Sequence, residues 1–189
     1  KTAYEIKECD WSSDVCSSDL PVPVTFRSPG EGGTARIEEA MFAVDEGPRP
    51  DTTVEALAKL KPAFKTGGSV TAGSSSQMSD GAGVCLVCSE EFVKKYNLKP
   101  VARLAGYSVA GVPPRIMGIG PVEAIPRAAK KAGISPDKIE RIELNEAFAA
   151  QALAVIRTLK FDPAKVNPTG GAIALGHPLG ATGARSEEH

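Results

Sequence analysis

Gly170-Gly-Ala-Ile-Ala-Leu-Gly-His-Pro-Leu-Gly-Ala-Thr-Gly183 sets His177 among five glycines, directly before Pro178. Such a run reads as a strand ending in a Gly-rich turn and opening a helix. Glycines there permit close backbone approach to a ligand, and Pro178 biases His177 toward extended conformations. An imidazole held in this way can serve as a general base or a hydrogen-bond donor, or can be a turn residue with no task.

Upstream, Ile139 to Leu144 alternates as a strand, and Glu146 to Leu159 carries Phe148, Leu153 and Ile156 among the apolar positions of a long helix. Asn145 stands at this strand-to-helix junction. Its carboxamide can cap the helix or point into the crevice where α/β sheets bind ligands. Before it, GIGPVEAIPRAAKKAG predicts a helix with Pro121 in its first turn and Gly133 just past its end. Pro126 is tolerated because it falls early in that helix, and Ser135-Pro136-Asp137 caps a short turn.

Val84 to Val87 reads as a buried strand and Val101 to Tyr107 as another strand, on either side of a helix capped by Ser89. Thr53 to Leu60 reads as a helix stopped by Pro62. Pro21 to Pro50 reads as connecting structure with a helical stretch at Glu38 to Ala43. The Gly/Ser/Thr loop from Ser69 to Asp80 could present amides and hydroxyls to an anion. Alternating strands and helices predict an α/β layered fold with a mixed sheet.

Composition narrows the chemistry. The 189 residues carry 22 Lys and Arg against 23 Asp and Glu, a net charge of −1, so no basic field announces nucleic-acid binding. No apolar run approaches the roughly 20 residues of a membrane span. Four cysteines without zinc spacing point to neither a disulfide scaffold nor a metal site, and suggest a reducing, cytoplasmic setting. Cys85 and Cys88 lie in and beside an apolar run and read as structural. Phosphate-loop, dinucleotide, HExxH and GxSxG motifs are absent.

The two ends differ from the interior. Lys1 to Leu20 lacks periodicity, and Trp11 to Leu20 is the in-frame translation of TGG AGT TCA GAC GTG TGC TCT TCC GAT CT, a common sequencing-adapter end. Arg185 to His189 follows from AGA TCG GAA GAG CAC. Residues 1–20 and 185–189 are therefore expected to be adapter-derived tails, the first of them disordered. The interior between them carries 19 basic and 16 acidic side chains, a charge of +3.

Three segments together resemble the thiolases: Val70-Thr-Ala-Gly-Ser-Ser-Ser-Gln-Met-Ser-Asp-Gly-Ala82, Asn145-Glu-Ala-Phe-Ala149 and Gly170 to Gly183. The likeness runs from about Arg36 to Ala184. It is greatest to the type acting on 3-ketoacyl-CoA in fatty-acid β-oxidation, with the acetoacetyl-CoA type second. It implies a thiolase-like fold in which 21–88 is the end of a first half and 89–184 most of a second. It also implies an acyltransferase that moves an acyl group between a cysteine and coenzyme A, with coenzyme A as substrate and no permanently bound cofactor. By resemblance His177 takes the proton of the nucleophilic cysteine and Asn145 holds a water of the oxyanion site. Ala72 and Ser76 match positions contacting pantetheine, and Met117, Ala147 and Phe148 match positions near the acyl pocket. The family's nucleophilic cysteine belongs upstream of Pro21, and its Cys-x-Gly cysteine downstream of Arg185. This chain is thus expected to be inactive, although its full-length parent would be an active homo-oligomer. A non-catalytic carrier of coenzyme A esters or lipids is the alternative.

Overall fold

The computed structural model describes residues 21–44, 49 and 51–187, with 186 and 187 as backbone only. The first adapter-like end, and residues 188 and 189 of the second, lie outside the described residues. The chain divides into two compact units, Lys1–Thr53 and Val54–His189.

In the first unit, β1 (Val22–Pro29) and β2 (Ala35–Phe42) form an antiparallel hairpin in the register Val22↔Phe42 to Pro29↔Ala35. Gly32 and Gly33 take left-handed φ values of 67° and 79° in the connecting 3₁₀ turn, a conformation that favours glycine. The helix expected at Glu38 to Ala43 is instead the second half of β2, which ends at Phe42, and the residue after it. A helix of six residues cannot nucleate unsupported, whereas β1 supplies a complete ladder of partners.

The second unit contains α1 (Val54–Ala58), α2 (Glu90–Lys95), α3 (Gly120–Ala132), α4 (Ala149–Leu159), α5 (Ala172–Leu175) and α6 (Thr182–Glu187). Ser89 caps α2 by accepting from the Phe92 amide at 3.1 Å. Gly133 ends α3 at φ 68°, with Pro121 in the first turn, as the sequence predicts. Pro126 lies inside α3. The core places Ala152, Val155 and Ile156 of α4 against Leu144 and Val166, with Val122 and Ile125 of α3 packed on its flank. The i, i+3, i+4 spacing of the three α4 residues makes them one stripe of that helix.

The sheet is the main departure from expectation. Within the second unit, described strand pairing is limited to two isolated bridges, Ile142↔Val166 (parallel) and Ser75↔Phe148 (antiparallel). Val84–Val87 and 101–107 are irregular, and Val84, Leu86, Val87, Val101, Leu104 and Tyr107 are each at least 70% exposed. An apolar run becomes a buried strand only beside a neighbour that takes its amides and carbonyls. Among the described residues no strand lies beside either run.

The core can be tested directly. Val155 is fully buried, so Val155→Ala is expected to cost about 2 kcal/mol, read as a lowered urea midpoint. Val101→Ala, at a fully exposed position, is expected to stay within about 0.5 kcal/mol.

Candidate active site

The parallel bridge is closed by the Ile142 amide on Lys165 O and the Asn167 amide on Ile142 O, both at 2.9 Å. Asn167 then turns back at φ 47°, a left-handed conformation that Asn tolerates. Its side chain clasps the neighbouring segment. Oδ1 accepts from the Leu144 amide and Nδ2 donates to Leu144 O, each at 2.8 Å, and Nδ2 also donates to Glu146 Oε1 at 3.1 Å.

Residues 144–146 are thereby held extended. Leu144 and Glu146 are buried, while Asn145, between them, is half-buried. The capping reading of Asn145 is corrected: α4 begins three residues later than expected, with Phe148 extended at its N-cap (φ −144°, ψ 141°). The Asn145 carboxamide instead meets the imidazole, Nδ2 lying 3.3 Å from His177 Nε2.

His177 is positioned from the other side. α5 ends at Gly176, whose φ of 82° suits glycine. The guanidinium of Arg185, the first residue of the expected adapter-derived end, donates to Leu175 O (3.3 Å) and Gly176 O (2.9 Å). The imidazole is half-buried between buried Gly176 and Pro178, with Nδ1 2.8 Å from the buried Thr182 hydroxyl. Glu146 joins the two halves: its Oε2 accepts from the Ile173 amide at 3.2 Å. Gly171 permits this approach, since a Cβ there would overlap the carboxylate.

The polar loop docks on both segments. The Ser76 amide (3.1 Å) and hydroxyl (3.2 Å) donate to Ala147 O, and the His177 amide donates to Gln77 O at 3.0 Å. Ser76, Ala147, Asn145 and His177 are thus brought together. Phe148 packs edge-on against Phe64 with centroids 5.9 Å apart. Ala72 and Met117 remain exposed on 3₁₀ segments, Met117 by 76%. A cavity of about 20 Å³ borders Asn145, Glu143 and Asn167, room for one water-sized molecule. Asn145 Oδ1 is buried with no protein partner. The sequence reading did not single out Glu146, Asn167, Thr182 or Arg185 as positioning groups. Of these, only Thr182 gave a signal, a hydroxyl one helical turn after Pro178.

The family model described as "Thiolase, N-terminal domain" matches residues 22–91, and that described as "Thiolase, C-terminal domain" matches 98–189. The chain belongs to the thiolase family. It is 54% identical over 162 residues to the mitochondrial 3-ketoacyl-CoA thiolase of Rattus norvegicus, a match covering 86% of this chain and 41% of the relative. It is 58% identical over 183 residues to peroxisomal 3-ketoacyl-CoA thiolase B of the same organism, covering 97% and 43%. It also superposes on a crystal structure of human mitochondrial 3-ketoacyl-CoA thiolase in complex with CoA, with a TM-score of 0.68 and 50% identity, covering 77% of this chain and 37% of that one.

This thiolase chain therefore spans about two-fifths of the length of the curated relatives it matches. Its fold is a partial α/β thiolase fold. The cytoplasmic setting read from its cysteine content is corrected, because relatives above 50% identity carry mitochondrial and peroxisomal names. Cysteine usage reports redox conditions and does not encode an organelle. No helix among the described residues is long and apolar enough to cross a membrane.

Gly171→Ala tests the clamp. Its Cβ must displace the buried Glu146 carboxylate, so a loss of about 2 kcal/mol or more in chemical denaturation is expected. Gly180→Ala, where nothing lies within 4 Å, is expected to be near neutral.

Proposed function

We propose that this chain is part of a longer thiolase that transfers an acyl group between an enzyme cysteine and coenzyme A, cleaving or forming 3-ketoacyl-CoA esters. The observation that carries this reading is the approach of Asn145 Nδ2 to His177 Nε2 at 3.3 Å. An unassisted thiol is mostly protonated near neutral pH. His177 takes the thiol proton, and the thiolate adds to the keto carbon of the substrate. The carbon–carbon bond to the thioester's α-carbon then breaks, leaving an acyl-enzyme and the enolate of the departing thioester. Charge on the thioester oxygen is met by protonated His177 and by a water that Asn145 would hold. The enolate takes a proton from the family's acid/base cysteine of the Cys-x-Gly motif and departs as the neutral thioester. The coenzyme A thiol then gives its proton to that cysteine and takes the acyl group, and the released nucleophilic thiolate regains its proton from His177.

The relative solved with CoA supports coenzyme A as the thiol substrate, and the names of the relatives support 3-ketoacyl substrates and a place in fatty-acid degradation. Ala72 and Ser76 are assigned to the pantetheine arm. The Ser76 hydroxyl already donates to Ala147 O, so it meets the ligand as an acceptor. Met117, Ala147 and Phe148 are assigned to the acyl pocket. The division at 88/89 is supported by the junction of the two family matches, between 91 and 98. The parent is proposed to be a homo-oligomer.

Cys85 and Cys88 match neither cysteine motif of the family. The purified 189-residue chain is therefore expected to give no thiolysis of acetoacetyl-CoA or longer 3-ketoacyl-CoA above blank, measured by loss of substrate absorbance. The full-length parent is expected to turn over, with His177→Ala lowering kcat by about 10³-fold or more and Asn145→Ala by about 10²–10³-fold. A parent without thiolysis that still binds coenzyme A esters in calorimetry would make the protein a carrier instead.

A further inference from the structure

The Thr182 hydroxyl carries one hydrogen and meets two partners, Pro178 O at 3.0 Å and His177 Nδ1 at 2.8 Å. A carbonyl oxygen only accepts. Both contacts are hydrogen bonds in a single arrangement, with the hydroxyl donating to Pro178 O and Nδ1–H donating to the hydroxyl oxygen. Turning the hydroxyl toward Nδ1 would set the Thr182 and Pro178 oxygens lone pair to lone pair at 3.0 Å. The far side of the ring agrees, because Asn145 Nδ2 is a donor and its contact with Nε2 at 3.3 Å needs a lone pair there.

We propose that Thr182 is a positioning residue that fixes neutral His177 as the Nδ1–H tautomer, leaving Nε2 unprotonated; its one lone pair accepts from Asn145 Nδ2 here, a contact that the cysteine thiol replaces when Nε2 takes its proton. The inference rests on the acyl-transfer reading for its use, but its geometry does not involve coenzyme A. Thr182 suits the task because it is buried and fixed by its backbone. Its own amide donates to Pro178 O at 2.9 Å, so the hydroxyl and the imidazole it orients belong to one turn. The Arg185 contacts with Leu175 O and Gly176 O hold the residues leading into His177. A histidine free to exchange tautomers would present Nε2–H to the thiol part of the time and would be unable to accept its proton in that form.

The test is tautomer assignment by long-range ¹H–¹⁵N imidazole correlation on the ¹⁵N-labelled 189-residue chain. It is recorded at alkaline pH, where imidazole is neutral, with His189→Gln used to assign His177. The Nδ1–H form is expected to predominate in the wild-type chain and in Thr182→Ser, and to give way toward Nε2–H in Thr182→Val. Predominant Nε2–H in the wild type, or an unchanged ratio in Thr182→Val, overturns the proposal. In the full-length parent, Thr182→Val is expected to lower kcat roughly three- to tenfold through the smaller competent fraction. KM should be little altered, and Thr182→Ser should restore the rate. A parent without thiolysis whose His177 is still Nδ1–H would defeat the acyl-transfer reading and leave the tautomer assignment standing.

Discussion

The Asn167 carboxamide holds both backbone groups of Leu144 and one oxygen of Glu146. Because Leu144 and Glu146 flank Asn145, fixing them fixes the residue between. Glu146 extends the same constraint to the Ile173 amide, four residues before His177. Two chain segments that meet the imidazole from opposite directions are thus tied by one small polar network. A buried carboxylate is costly unless hydrogen bonds compensate it, and here each oxygen has a donor. Losing either donor would leave charge buried without full compensation, so the network favours one arrangement over a range of nearby ones.

Much of this site was legible in the sequence because it depends on local rules. Gly176 and Pro178 announce a constrained turn around His177, and that turn exists, with Gly176 at φ 82°. Gly133 and Ser89 mark helix ends by the same kind of local chemistry. Asn145 shows where local reasoning fails. Its position before an apolar helical pattern satisfies the rules for a cap, but Ser76 takes Ala147 O and Phe148 stays extended, so the helix starts later. Asn167 carries no sequence signal at all, because its role depends on a left-handed backbone and on a partner segment 21 to 23 residues away.

Strand readings failed for a complementary reason. Helical pattern describes one segment, whereas a strand is defined jointly with its neighbour. Val84–Val87 and 101–107 have apolar content suited to a sheet interior, yet stand exposed without pairing partners among the described residues. Glu38 to Ala43 shows the converse. Its residues favour helix, but β1 lies alongside and supplies a ladder. Composition predicted what these segments could be, and the presence or absence of a partner decided what they are.

The geometry of the candidate site holds in a chain with so much unpaired apolar surface because its supports are short-range within one unit. The clasp spans residues 142 to 173, the turn spans 171 to 185, and the polar loop joins them through main-chain groups of Ser76 and Gln77. None of these contacts draws on the exposed runs. The proposed acyl pocket differs, because Met117 stands 76% exposed and a hydrophobic pocket needs walls on several sides. The proposed proton-handling pair is therefore set by this chain's own residues. For the proposed reaction, enclosing the substrate and excluding water need surfaces beyond those described, and it is on that enclosure that the electrostatic advantage of preplaced donors depends.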